Sequence, residues 1–210
     1  SKTQLLVVED NEEMANYIAT ILTDFEVRLA PNGLIGLQLA TANIPDVIIS
    51  DIMMPEMDGV EMCQRLKSQY TTCHIPIVLL SAKTDISQKI QGLEQGADAY
   101  VDKPFDAQYL TTVLHNLIRQ RELLRQKYSD QPEQILSESS LSGLDKKFIE
   151  NSLEIIRKNL PNENFSVEQF STEIGMSRSQ LNRKLKALFQ LSPNELIRNE
   201  RFIKAKELLQ

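Results

Sequence analysis

The chain has 210 residues, with 23 Lys and Arg against 29 Asp and Glu and a formal net charge of −6. That length is expected to hold one large domain or two ordinary ones. No apolar run approaches the roughly 18 residues of a membrane-spanning helix and no signal-peptide pattern opens the chain, so a cytoplasmic protein without membrane contact is expected.

The acidic excess lies in residues 1–120, whereas 121–210 is mildly basic. Two modules with different partners are therefore expected. Cys63 and Cys73 have neither metal-ligand nor disulfide spacing and are read as reduced thiols. The first residue is Ser, and the chain is read as a fragment of a longer protein.

In the first half, short apolar runs alternate with helical patterns. QLLVV (4–8), VRLA (27–30), DVIIS (46–50), PIVLL (76–80) and AYV (99–101) are predicted strands. Helical spacing runs between them through Met14 and Ile18, through Leu34 and Leu37, through Met62 and Leu66, and through Ile86, Ile90 and Leu93. This alternation predicts a five-stranded parallel, doubly wound α/β sheet with both faces covered. Right-handed crossovers put all five strand C-termini on one edge, where the ligand crevice of such a fold lies. Glu9, Asp10, Asp51, Ser81 and Lys103 fall at or just past those ends and are expected to converge.

Residues 106–128 read as one long helix with Leu110, Leu114, Leu117, Leu124 and Tyr128 at 3–4 spacing, either a short coiled-coil stem or an ordinary amphipathic helix. QPEQILSESSLSG (131–143) breaks the pattern and reads as a linker. The expected division is 1–128, a linker at 129–143, and a second, all-α domain at 144–210. In that domain Phe148, Ile149, Leu153, Ile156 and Leu160 share a helix face, and Ser166/Gln169, Ser177/Gln180 and Ser192/Glu195 read as capping boxes. Helices are predicted to begin near 167, 178 and 193, the last with Pro193 at its first position.

Carboxylates and one lysine at a strand edge suit a small hard cation such as Mg²⁺. Asp10 and Asp51 can bind it directly, Glu9 directly or through water. Asp51 can act as a nucleophile forming an aspartyl phosphate, with Lys103 and Ser81 meeting the phosphoryl group. A haloacid-dehalogenase-like enzyme, which needs Asp-x-Asp at its nucleophile, is set aside because residue 53 is Met. His74 and His115 are read as structural rather than as phosphoryl carriers.

VVEDN, DIMMPEMDG, LLSAK and YVDKPF together resemble the receiver domain of bacterial response regulators over roughly residues 3–125. The resemblance implies a flavodoxin-like fold with Asp51 as phosphoacceptor. It implies Mg²⁺ held by Glu9, Asp10, Asp51 and the main-chain carbonyl of Met53, Ser81 as the switch hydroxyl, Lys103 on the phosphate, and Tyr100 as an aromatic switch that turns inward. Pro104 matches the family's cis-proline, and Met53 and Lys83 the positions that tune dephosphorylation.

VEQFSTEIGMSRSQLNRKLKAL (167–188) reads as a helix-turn-helix, two short helices joined through Gly175. Leu181, Leu185 and Leu188 form the inner stripe of the second helix, with Ser179, Asn182, Arg183 and Lys186 opposite, suited to base edges and phosphates. FSVEQF, GMSRSQLNRKLK and SPNELIRNERFIKAKELL resemble the AraC-type DNA-binding domain over roughly 145–210. The resemblance implies base contacts from Ser179, Asn182 and Arg183 and phosphate contacts from Arg178, Lys184 and Lys186. Ser171 stands where the motif prefers Ala, and Phe189-Gln190 replaces a common Thr-Gly. Only the first of that domain's two helix-turn-helix units is expected within these residues, so binding by a single chain is expected to be weak and salt-sensitive.

The sequence is therefore read as a two-component response regulator phosphorylated on Asp51 by a histidine kinase, controlling DNA binding and pairing into a homodimer through its receiver. It is read as no enzyme beyond self-catalysed phosphorylation and dephosphorylation. LDKKFIE and GMSRSQLNRKLKAL resemble the C-terminal part of a hybrid sensor histidine kinase more than a stand-alone regulator. The alternative is a phosphorelay receiver that tunes a kinase, with a helical half that docks to protein rather than DNA.

Overall fold

A computed structural model describes residues 2–82, 95–128 and 141–209, with 124–128 described by backbone alone. The expected helix through Ile86, Ile90 and Leu93, Lys83, residues 129–140 of the expected linker, and the side chains of Leu124 and Tyr128 lie outside the described residues. The chain divides into two compact units, Ser1–Gln120 and Arg121–Gln210.

In the first unit five strands, β1 (Thr3–Val8), β2 (Phe25–Ala30), β3 (Val47–Asp51), β4 (Ile77–Ala82) and β5 (Ala99–Lys103), form one parallel sheet in the order β2-β1-β3-β4-β5. This is the flavodoxin-like order. β2 begins two residues earlier than predicted, because Phe25 is buried and paired with Thr3.

Sheet parity sorts the side chains. Leu6, Val8, Ile48, Ile77 and Leu79 enter one core, covered by α2 (Gly33–Asn43) and α3 (Gly59–Ser68). Leu5, Val7, Val47, Ile49, Val78, Leu80 and Val101 enter the other, covered by α1 (Glu12–Ile21) and α4 (Ala107–Tyr128). With both faces closed, the central strands must be apolar at successive positions, each buried aliphatic side chain contributing about 1.5–3 kcal/mol. The alternation also decides which side each residue takes at the strand ends.

Four helices of the second unit, α5 (Gly143–Asn159), α6 (Val167–Ile174), α7 (Arg178–Phe189) and α8 (Pro193–Leu208), pack around Phe148, Ile149, Leu153, Ile156, Phe170, Leu181, Leu185 and Leu188. α6, α7 and α8 start where predicted, and each of the three capping boxes is formed in both directions. Ser142 and Gly143, assigned to the linker, instead cap and begin α5, because the Ser142 hydroxyl accepts from the Asp145 amide.

Gly175 ends α6 at φ 74°, the left-handed conformation a non-glycine residue adopts only at a cost. Gln190 ends α7 at φ 59° without that freedom, while Phe189 beside it is buried. Burial of the ring offsets a penalty of roughly 1–2 kcal/mol. Ser171 is accommodated inside the unit because its hydroxyl donates to the Glu168 carbonyl at 3.0 Å. No described helix is long and apolar enough to cross a membrane.

Candidate functional site

Glu9 and Asp10 follow β1, Asp51 ends β3 and Lys103 ends β5, all on the C-terminal edge of the sheet. Glu9, Asp51 and Lys103 continue the parity of Val7, Ile49 and Val101, so they belong to the face shared with α1 and α4. Lys103 Nζ donates to Glu9 Oε2 at 2.8 Å and lies 2.9 Å from Asp51 Oδ2. One ligand atom from each of Glu9, Asp10 and Asp51 lies within 4.8 Å of the others. Asn11, Glu13, Met14 and Tyr17 complete an open cleft of about 660 Å³.

Local structure fixes each member. Asn11 caps α1 by accepting from the Met14 amide at 2.9 Å, which turns the chain immediately after Asp10. The Ile52 amide donates to Asp51 Oδ1 at 2.8 Å, and the Gly59 amide donates to the Ile52 carbonyl at 2.9 Å. A Cβ at Gly59 would collide with the Asp51 carbonyl oxygen, so the start of α3 approaches the site as only glycine allows. Met53, two residues past Asp51, is 67 % exposed.

The electrostatics are unbalanced. Burial raises the Glu9 carboxyl above its ordinary range and Asp51 raises it further, while Lys103 opposes both. Burial alone would lower Lys103, but its hydrogen bonds to Glu9 and Asp51 prevail and hold its ammonium above the usual value. Both directions agree with an excess of carboxylate over ammonium in a half-closed cleft. Hard oxygen donors with surplus negative charge fit a small divalent cation, and receiver domains hold Mg²⁺ in an acidic pocket of this kind.

Ser81 departs from the expected convergence. It is 1 % exposed, but it does not line the cleft. It shares the parity of Leu79, on the α2–α3 side, and its hydroxyl donates to Asp102 Oδ1 at 3.0 Å. Asp102 went unread in the sequence; the available signal was an acid immediately before Lys103 on a strand whose neighbour carries the expected switch hydroxyl. Tyr100, expected to turn inward, already packs against the α2–α3 core. Its hydroxyl is buried with no hydrogen-bond partner among the described residues, and burial pushes it up to about 12. The Lys103–Pro104 bond is cis, at the position the family resemblance marked.

In the helical unit, Arg178, Ser179 and Lys186 are exposed on α7, and Asn182 and Arg183 are half-buried. Lys184 corrects an expectation: it cannot reach a phosphate. Its side chain is 0 % exposed and donates to Asp145 Oδ1 at 2.8 Å, with its Nζ 5.0 Å from the centre of the Phe148 ring. Its position explains this: residues 181, 184, 185 and 188 share one helical stripe, and the three leucines drag the lysine into the core.

Known proteins match this architecture. The response regulator receiver domain model matches residues 5–115. Histidine kinase P4 of Formosa agariphila is 38 % identical over 210 residues, the whole of this chain and 15 % of that protein. The transcriptional regulatory protein CseB of Streptomyces avermitilis is 38 % identical over 120 residues, 56 % of this chain and 50 % of its own length. The chain thus spans half or less of these relatives. A crystal structure of a putative response regulator from Chloroflexus aurantiacus superimposes with a TM-score of 0.55 at 36 % identity, covering 57 % of this chain and 99 % of that one. With the sheet order, the acidic cleft and the lysine all in place, the chain belongs to the response regulator receiver domain family.

Proposed function

We propose that Asp51 accepts a phosphoryl group from a phosphohistidine of a histidine kinase, and that the helical unit, an AraC-type helix-turn-helix, converts this into control of DNA binding. One observation carries the reading: three carboxylates with ligand atoms within 4.8 Å of one another, two of them held by a single lysine at the C-terminal edge of a parallel sheet. The full-length match to a stretch of histidine kinase P4 supports a parent chain that joins kinase and receiver.

In the transfer, one Asp51 oxygen attacks phosphorus. An O–P bond forms as the P–N bond to the donor imidazole breaks, and the electron pair leaves with that nitrogen. Lys103 is placed to hold a phosphoryl oxygen while keeping its contact to Asp51. Glu9, Asp10, Asp51 and the Met53 carbonyl would hold Mg²⁺, which when bound neutralises charge on the transferring group. Ser81 then reorients towards the new phosphoryl oxygen, with Tyr100 already seated beside the core. The remodelled β4–β5 side pairs with a second receiver, a two-state bias in which phosphate favours the dimer. The chain performs no turnover beyond forming and hydrolysing its own acyl phosphate.

For the output, α7 presents Arg178, Ser179 and Lys186 outward with Asn182 and Arg183 at its flank, the residue types that read base edges and phosphates. Intact mass after incubation with acetyl phosphate and Mg²⁺ tests the acceptor. One phosphoryl group is expected on the unmodified chain and none on Asp51→Asn; equal labelling of both sinks the assignment. Light scattering with beryllofluoride and Mg²⁺ is expected to show a monomer becoming a dimer. DNA binding is expected to fall with salt and to be lost in Arg183→Ala; binding to a kinase fragment without DNA binding would favour the kinase-tuning alternative.

A further inference from the structure

On the reading of Asp51 as phosphoacceptor, on which this proposal rests, we infer that Asp102 is a positioning residue that holds the Ser81 hydroxyl off the phosphoryl site. The Asp102 carboxylate and a phosphoryl group on Asp51 then compete for one donor. Ser81 and Asp102 are direct partners in the β4–β5 register, and the hydroxyl donates to Oδ1 at 3.0 Å. A serine hydroxyl has a single proton to give, and a bond to a carboxylate is stronger than one to a neutral acceptor.

Parity places the pair on the α2–α3 side of the sheet, whereas Glu9, Asp51 and Lys103 continue the α1–α4 side. Ser81 must therefore release Asp102 before it can donate to a phosphoryl oxygen. Adjacent residues of β5 take opposite parts: Lys103 draws the phosphoryl group in, and Asp102 restrains the hydroxyl that answers it. The restraint lowers the share of molecules in the responding conformation at any given occupancy of Asp51.

The test is a beryllofluoride titration of the full chain at saturating Mg²⁺, read from the amide resonances of Ser81 and its neighbours. Asp102→Ala is expected to tighten the response about tenfold, equivalent to about 1.4 kcal/mol. Asp102→Asn keeps a neutral acceptor and the size of the side chain, so it guards against a folding defect; a smaller gain is expected. In a Ser81→Ala background, Asp102→Ala is expected to give no gain, because the contested donor is gone.

An equal gain with and without the Ser81 hydroxyl would mean that Asp102 acts only as a charge near an anion, and the proposal fails. It fails equally if neither Asp102 variant tightens the response while the unmodified chain still binds. An unmodified chain that neither binds beryllofluoride nor takes a phosphoryl group from acetyl phosphate overturns the acceptor reading and this proposal together. That result is told apart from the others by the silence of the unmodified chain.

Discussion

Lys103 and Lys184 each meet an aspartate, in opposite settings. Lys103 meets Glu9 and Asp51 in an open cleft, and its side chain is 22 % exposed. Lys184 is sealed at 0 % exposure, donating to Asp145 with the Phe148 ring beside it. At Lys184 the side chain is shut away from water, and its bond to Asp145 ties α5 to α7. At Lys103 the carboxylates outnumber the ammonium; Glu9 is buried, but Lys103 and Asp51 face the cleft, so the surplus charge is placed to receive a cation or a phosphoryl group. A closed pair is a joint; an open one with surplus carboxylate is a candidate site.

Breaking the sealed pair should give the largest effect. Asp145→Ala removes the carboxylate that the buried Lys184 ammonium donates to and is expected to destabilise the helical unit by about 3–5 kcal/mol. Asp145→Ala with Lys184→Met should recover most of that loss in urea unfolding followed by circular dichroism. A single variant that costs under about 1 kcal/mol would show that water reaches the pair.

Next in size is Gly59→Ala, expected to cost about 1–3 kcal/mol of overpacking against the Asp51 carbonyl. Because that carbonyl belongs to the acceptor residue, acetyl phosphate labelling should fall with thermal stability. Undiminished labelling would show that the start of α3 does not set the acceptor geometry.

Cys63 extends the comparison to a buried acid. Burial pushes its thiol up to about 11, with Lys67 nearby only partly opposing. Its thiolate fraction at pH 8 should be about a hundredfold below that of an ordinary cysteine, so alkylation of the native chain should be correspondingly slow. The unfolded thiol ionises first, so this group's contribution to stability is present below about pH 9 and is lost as pH rises through about 11. Rapid native alkylation at pH 8 would contradict the sealed environment.

The smallest effect is expected at the open lysine. Lys103→Met leaves the buried Glu9 carboxyl without its ammonium, but Glu9, already raised by burial, takes up a proton instead of staying charged, so the expected change in stability is about 1 kcal/mol. A loss of several kcal/mol would make Lys103 a joint like Lys184 and erase the distinction.

Much of this was legible in the sequence. The strands showed as apolar runs because closed sheet faces demand them, and Glu9, Asp10, Asp51 and Lys103 each sat at a strand end that topology carries to one edge. Two features were hidden for different reasons. The Ser81–Asp102 bond depends on the register of β4 against β5, which local spacing does not encode. The burial of Lys184 was present in the spacing of residues 181, 184, 185 and 188, but its charge argued for solvent, and the Asp145 partner from α5, distant in sequence, reverses that. Sequence patterns record periodicity well and long-range pairing poorly.

The three capping boxes carry a consequence for folding order. Each closes locally, Ser166 with Gln169, Ser177 with Gln180 and Ser192 with Glu195, so the helix starts of the second unit need no distant partner. The sheet has no such shortcut: Leu5 must meet Val47, and Val78 must meet Ala99, before any ladder exists. Loop-closure entropy therefore weighs on the α/β unit, and helical signal should return first on refolding. The acidic cleft, drawn from Glu9, Asp10, Asp51 and Lys103, is then among the last features to assemble, and phosphoryl acceptance becomes a late reporter of complete folding.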